Sequence, residues 1–325
     1  MSSTAAFRQG IYQFDWARRV VRWLDAMPNT ALAVEVAPDR VAAARWSRTG
    51  SLDGYAVESL PVGALAPSAV ESNIVNGAAV KAAVTNVCNH LDSRDEDVAM
   101  ILPDTVIRVF VQHLEDFPRS AAEAVPMLRW KLKKSVPFEV DETLISYMRQ
   151  APRETGIDVV TALARLRIIR EYESLLEGIG LHPGVVLSSS LAAISLVEDE
   201  KPTLLARVSG STLTTAIVRR GVLCGYRCTE LPAHGVNLKP QMLLEEIFPV
   251  AAYYQDTWQE AIQSVRVAGL GTRLAEFVRP LEEEFHCDVR SLLHSAVSDG
   301  RIKEDARPLA ERDLEGLIGW MLQRG

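Results

Sequence analysis

Cysteine is scarce in this chain of 325 residues: four, at positions 88, 224, 228 and 287, too few and too scattered for a disulfide scaffold. Cys224 and Cys228 are four apart, a spacing that puts both on one face of a strand. The six histidines show no paired ligand spacing, so structural thiols are the simpler reading than a metal site. Long apolar runs are also missing. None approaches the ~18 residues that span a bilayer, and the first residues lack the compact apolar stretch and small-residue cleavage site of a signal peptide. The expectation is a cytoplasmic protein. An excess of positive charge is absent too: 42 acids against 35 bases give a net charge of −7, which excludes a general duplex-DNA binder, and no nucleic-acid partner is expected.

What is present is an ordinary globular composition, 48% apolar and 24% charged, with 19 Gly and 16 Pro. At roughly 100–200 residues per domain this length suggests two lobes with sizeable cores. Residues 1–30 read as an N-terminal basic amphipathic extension: Ile11, Phe14, Val20, Val21 and Leu24 fall at loose helical spacing among Arg8, Arg18, Arg19 and Arg22. Such a segment suits a membrane surface or a partner groove, or packing on its own domain. From Ala31 strands take over: Ala31 to Val36, a turn at Pro38-Asp39, Val41 to Trp46 and a third strand around Tyr55 to Leu60. A helix from Gly77 to Leu91 and a buried strand from Val98 to Leu102 complete a first lobe, 31–104.

Residues 105–185 read as an inserted α/β unit that opens on a strand from Val106 to His113. Ser120 and Glu123 form a Ser-x-x-Glu capping box ahead of a helix whose Val125, Leu128, Leu132 and Val136 make one stripe. A second strand, Ile157 to Leu166, and a second helix closed by Gly178 follow. Residues 186–308 then repeat the opening strand, turn and strand meander around Ser209-Gly210-Ser211-Thr212, with helices at Pro240 to Ser264 and Thr272 to Phe285. Residues 309–325 form a last helix, with Leu314, Leu317, Ile318 and Met321 at core spacing, returning to the first lobe.

Two lobes that each open on a meander with a small polar first turn are the plan of an actin-like (ribonuclease H-like) two-lobed fold. The resemblance sharpens at Leu102-Pro103-Asp104 and at Trp130 through Phe138, which are similar to the "LPD" strand end and the "W-E-x-x-x-x-I/L-P-F" helix end of the type IV pilus assembly PilM family. Tyr172 to Pro183, Glu245-Glu246-Ile247 with Tyr253-Tyr254, Gly269-Leu270-Gly271 and the tail from Leu314 to Gln323 are similar to further motifs of that family, in order over residues 31–325. The resemblance implies subdomains of the 1A, 1C and 2A/2B kinds. It also implies a place at an inner-membrane pilus platform among other platform proteins, ATP in the cleft, and a groove beside the inserted unit for the cytoplasmic tail of a bitopic PilN-like protein.

The residues at the implied nucleotide site depart from the family pattern. Where the family's first turn reads "I-D-I-G-S-S", this chain has Val34-Glu35-Val36-Ala37-Pro38-Asp39, with a longer carboxylate, an added side chain, a lost backbone donor and a negative charge beside the phosphate position. At the second turn Arg207 stands in place of an Asp and cannot ligate Mg²⁺. Two roles are open to it: pairing with Glu35 across the cleft, or touching a phosphate. Pro249 replaces an Arg and Leu270 a Gly in the adenosine region. The expectation is a pseudo-ATPase without catalytic residues, metal or cofactor. Its alternative is ATP binding through Glu35, Asp39, Arg207, Ser209, Gly210, Ser211, Thr212, Gly269 and Gly271, in a nucleotide-switched ATPase or in the actin-like part of a type II secretion platform. Trp130 with Lys131 and Lys134, and Lys133 between them, is a candidate docking or anionic-membrane surface. Ser188-Ser189-Ser190 lacks a nucleophile-elbow context and reads as a helix N-cap, Glu282-Glu283-Glu284 as a solvated helix face, and His234-Gly235 as a turn.

Overall fold

Apolar runs rather than strict alternation mark the central strands, and both faces of those strands are covered. A computed structural model describes residues 30–323, apart from 48–49, 94–95, 154, 198–199 and 233–234. Strands β1 (Leu32–Val36), β2 (Arg40–Trp46) and β3 (Leu52–Ser59) form an antiparallel meander; helix α1 (Gly77–His90) crosses over, and β4 (Asp97–Leu102) returns parallel to β1. The chain then builds a separate antiparallel sheet, ordered β5-β7-β6, from β5 (Arg108–Leu114), β6 (Thr143–Pro152) and β7 (Ile157–Arg165), with helix α2 (Ala121–Leu132) between β5 and β6. Helix α3 (Leu166–Glu177) leads into β8 (His182–Ser188), which pairs parallel with β4.

After helix α4 (Ser189–Ala193) the plan repeats. Strands β9 (Thr203–Ser209), β10 (Thr212–Arg219) and β11 (Val222–Glu230) form the second meander, helix α5 (Pro240–Trp258) crosses over, β12 (Ser264–Ala268) runs parallel to β9, and after helix α6 (Leu274–Phe285) β13 (Asp288–Ser291) runs parallel to β12. The sheet orders β3-β2-β1-β4-β8 and β11-β10-β9-β12-β13 are the same, with the same pairing senses. Helices α7 (Leu292–Ser298), α8 (Arg307–Ala310) and α9 (Glu315–Gln323) complete the described chain, and α9 packs on α4 and β1, back on the first lobe.

Burial explains the central runs. Leu204 and Ala206 pack with Ile247 of α5 and Phe277 of α6, while Leu205 between them turns to the other face and joins the core shared with the first lobe. Both faces of β9 are therefore apolar, as expected for a strand covered on both sides. One apolar core thus runs between the lobes, through Leu205, Ala216, Val218 and Leu223.

The structure redraws three of the expected elements. The boundary at 185/186 falls inside β8, which is the fifth strand of the first sheet. Helix α3 buries Ile168, Ile169, Tyr172, Leu175 and Leu176 in the first-lobe core rather than in the inserted sheet. The start of β8, His182-Pro183-Gly184, puts a proline and a glycine at the head of an edge strand. The last helix is broken: Asp313 adopts a left-handed conformation (φ 52°) between α8 and α9. The basic segment at 1–30, up to residue 29, and His234 lie outside the described residues.

Candidate functional site

The first lobe ends β1 on Glu35 and Val36, and the second ends β9 on Arg207, Val208 and Ser209, so the two strand ends face each other at the lobe junction. Glu35 and Arg207 are 3% and 6% exposed. The Arg207 guanidinium lies 3.6 Å from each of three carboxylates: Nη2 from Glu35, Nη1 from Asp104 just past β4, and Nε from Glu315 at the start of α9. At that separation these are ion pairs rather than hydrogen bonds. Hydroxyls and an amide supply the hydrogen bonds instead. Ser189 Oγ donates to Glu35 Oε1 at 2.5 Å, and Asp104 accepts from the Ser190 amide (2.8 Å), the Ser190 hydroxyl, Thr214 Oγ1 (2.8 Å) and Tyr226 OH (3.3 Å).

Three carboxylates against one guanidinium leave a buried excess of negative charge, and the titration behaviour follows. Burial raises the Glu35 carboxyl above the usual range, with Arg207 and the Ser189 hydroxyl pulling the other way. Burial alone would lower Arg207, but Glu315, Asp104 and Glu35 together raise it, so it stays charged. Asp313, whose backbone carbonyl accepts from Arg40 at 3.0 Å, is pushed up to about 6 by burial and by Glu315, against Arg40 and Arg207. Two glycines make the cluster possible. A Cβ on Gly316 would sit 2.8 Å from Ser189 Oγ and 2.9 Å from Glu35 Oε1, so only glycine lets α9 approach closely enough to deliver Glu315. Gly269 has φ +76° and would place a Cβ 1.8 Å from the Val208 carbonyl oxygen.

A cavity of about 230 Å³ lies against this cluster. Of the residues expected at a nucleotide site, Glu35, Asp39, Arg207, Ser209, Gly210 and Gly269 line it; Ser211, Thr212 and Gly271 do not. Thr212 closes the β9–β10 turn opposite Ser209, and the Ser211 carbonyl accepts from the Leu231 amide. Asp39 sits in the β1–β2 turn, largely exposed, 3.4 Å from Arg40. Beyond the second turn, Arg273 donates to the carbonyls of Gly235, Val236 and Leu238 at 2.7–2.8 Å, and the Gly235 amide donates to the Gly210 carbonyl. The loop after β11 is thus pinned over the turn.

A second cavity, of about 300 Å³, opens between the inserted sheet and the second lobe. On the inserted side, Asp158 is held by Arg153 Nε at 2.7 Å and His113 Nδ1 at 3.0 Å. On the other side, Trp258 lies under the Arg153 guanidinium, 3.5 Å from ring centroid to carbon, and Tyr253 stands 70% exposed at the rim. Gln150 ties the two sides together: its amide donates to the Leu223 carbonyl at 2.7 Å and accepts from the Leu223 amide at 2.8 Å, where β11 bulges against β10. Trp130, Lys131 and Lys134 lie on and just past α2 and line neither cavity.

Asp104, Ser189, Ser190, Asp313 and Glu315 are the site residues that sequence reasoning did not assign. Asp104 stood in the "LPD" motif, and the three serines read only as a cap, which Ser188 indeed supplies to Leu191. Glu315 sits in a helix read for its apolar spacing, and nothing local marks it. Among the described residues no cluster of His, Cys, Asp and Glu is arranged to hold a metal ion, the four cysteines are free, and no helix is long and apolar enough to cross a membrane.

No family model matches the sequence, and no curated protein does. Among solved structures, the chain is similar to a PilM–PilN type IV pilus biogenesis complex, with 16% identity over 91% of this chain and 98% of that one and a TM-score of 0.68. Weaker likenesses are to a Bacteroides thetaiotaomicron protein with an actin-like ATPase fold (10% identity, 85% and 98% coverage, TM-score 0.47) and to the cytoplasmic domain of EpsL of the Vibrio cholerae type II secretion system (13%, 73% and 80%, 0.46). The chain has a PilM-like, actin-like α/β fold with an inserted three-stranded sheet.

Proposed function

We propose that the chain is a noncatalytic scaffold, a pseudo-ATPase of the PilM kind, at the inner-membrane platform of a type IV pilus. Its groove receives the cytoplasmic tail of a bitopic, PilN-like membrane protein, and it works peripherally at the cytoplasmic face. The observation that carries the reading is Arg207. A metal–triphosphate site needs a hard anionic ligand for the cation and open backbone donors for the phosphates. Here a fixed guanidinium takes the cation's place, ringed by Glu35, Asp104 and Glu315. Pro38 offers no amide, and Asp39, Asp313 and Glu315 present carboxylates to the cavity against Arg40 and Arg207. The cavity is also smaller than the ~300–1,000 Å³ of ordinary ligand pockets. The residues present do not fit a metal-bound nucleotide.

The larger groove between the inserted sheet and the second lobe supports tail binding, with an exposed Tyr253, an apolar floor at Val250 and Trp258, and Arg227 at the wall. Two measurements test the reading. Calorimetric titration with ATP and Mg²⁺ should give no binding in the micromolar range; micromolar affinity overturns the pseudo-ATPase. Immobilised protein should capture the N-terminal peptide of a PilN-like protein without nucleotide. Capture that strictly requires ATP would favour the nucleotide-switched ATPase, and capture of a type II secretion tail instead would move the protein to that platform.

A further inference from the structure

Helix α2 carries an apolar side that is buried and an opposite side that no described residue covers. Ala124, Leu128 and Leu132 are buried, whereas Trp130 is 77% exposed, among the described residues second only to Val62 of the large apolar side chains. At about 100° per residue, Trp130 points almost directly away from the buried stripe, with Lys131 at the margin, and the exposed Lys133 and Lys134 follow at the C-terminal end of the helix. None of these three lysines makes a hydrogen bond or an ion pair among the described residues. Acids also lie nearby. Arg129 donates to the carbonyls of Val140, Asp141 and Thr143 at 2.8–3.0 Å and so draws the acidic turn 139–142 to its own side of the helix. Glu142 there meets Arg165 at 3.4 Å. Glu123 lies two turns back on the Trp130 side.

We propose that this face, Trp130 with Lys131, Lys133 and Lys134, docks the protein on the surface of an anionic lipid bilayer. A lone exposed indole that lines neither of the two cavities is poorly shaped for the pocketed hot spot of a protein partner. It is well shaped for the headgroup boundary, where Trp places an apolar body and a polar edge together. Flexible lysine stems let the ammonium groups rise to phosphates while their methylenes lie along the apolar layer. The inference extends the peripheral location proposed above and does not depend on tail capture.

The test is co-sedimentation of the full chain with vesicles of phosphatidylcholine alone and of phosphatidylcholine with phosphatidylglycerol, at low and moderate salt. Each lysine near an anionic surface is worth about fivefold in partitioning, so Lys131→Gln, Lys133→Gln and Lys134→Gln together should lower binding to the anionic vesicles by about a hundredfold. Replacing the same three with Arg should keep it. Trp130→Ala should weaken binding in a way that salt does not alter. All four side chains are exposed, so the variants should melt as the parent does, and capture of the PilN-like peptide should be unchanged in them. A parent chain that ignores anionic vesicles, or a triple Gln variant that binds them like the parent, overturns the proposal and leaves the scaffold reading standing. Loss of peptide capture with vesicle binding retained in the triple variant also overturns it, and makes the face a protein-docking surface.

Discussion

The two lobes are built on one plan and finished with opposite chemistry. Ala37 pairs with Arg40 around the turn Pro38-Asp39, and Ser209 pairs with Thr212 around the turn Gly210-Ser211, so Glu35 and Arg207 occupy the same place, two residues before the closing pair. The first turn carries the rigid ring of proline, the second a glycine at φ +60°. Beyond the next parallel strand, the first lobe has Pro103-Asp104 and the second Gly269-Leu270. Matching carboxylates at both strand ends would need a cation between them. With a guanidinium at one end the cation belongs to the chain, and the charges of the two lobes pair directly across the junction.

The sharpest way to break that comparison is Arg207→Met, which strands Glu35, Asp104 and Glu315 together in the interior. Removing one side of a buried charge cluster costs about 3–5 kcal/mol, and urea denaturation should show a loss of that size. Adding Glu35→Gln to the variant should restore part of it, because one of the stranded charges goes. A loss below about 1 kcal/mol would mean that the apolar contacts through Leu205 and Leu223 hold the lobes on their own.

Gly269→Ala comes next and tests the second lobe alone. Its positive φ and the 1.8 Å approach of the Val208 carbonyl require both strain and displacement of β9, together about 2–3 kcal/mol. In the first lobe, Ala37→Gly only loosens the unfolded chain, with a loss of about 0.5–1 kcal/mol. Equal losses at the two positions, measured by chemical denaturation, would contradict the closer backbone approach in the second lobe.

The fold was legible because its signals are local. The meanders announce themselves by short apolar runs and Pro-Asp or Ser-Gly turns, and the capping residue Ser120 accepts from the Ala122 amide as the start of α2. The opposition of Glu35 and Arg207 was also within reach, since both sit where the resemblance places the two turns. The rest of the site was not legible, for a physical reason. Asp104, Glu315 and Ser189 come from three separate elements and are joined only by packing, notably by the space above Gly316. Strand β6 escaped because it mixes polar and apolar residues on both faces of a small three-stranded sheet, Leu144 with Ser146 on one and Tyr147 with Arg149 on the other. On the α2 face, sequence grouped Trp130 with the lysines, but only the fold shows that no described residue covers the indole.

The smallest expected effect concerns Asp313, which faces the seam between the lobes next to Arg40, Glu315 and Arg207. Its carboxyl holds a proton to about 6 in the folded protein, against an ordinary value of 3.8, so between these values the folded state binds more protons than the unfolded chain. The stability it contributes is fully present below about 3.8 and is lost as the pH rises through about 6. Glu35 acts in the same direction. Because Asp313 is partly exposed, solvent screening holds its share below about 1 kcal/mol. Asn accepts the left-handed backbone at this position. Asp313→Asn should therefore leave the fold intact and flatten the difference between melting temperatures at pH 4 and pH 7, and the parent should gain stability on acidification relative to the variant. A variant whose pH profile runs parallel to the parent's would place the titrating excess charge on Glu35 alone, inside the cluster, and leave the seam around Asp313 electrically neutral to folding.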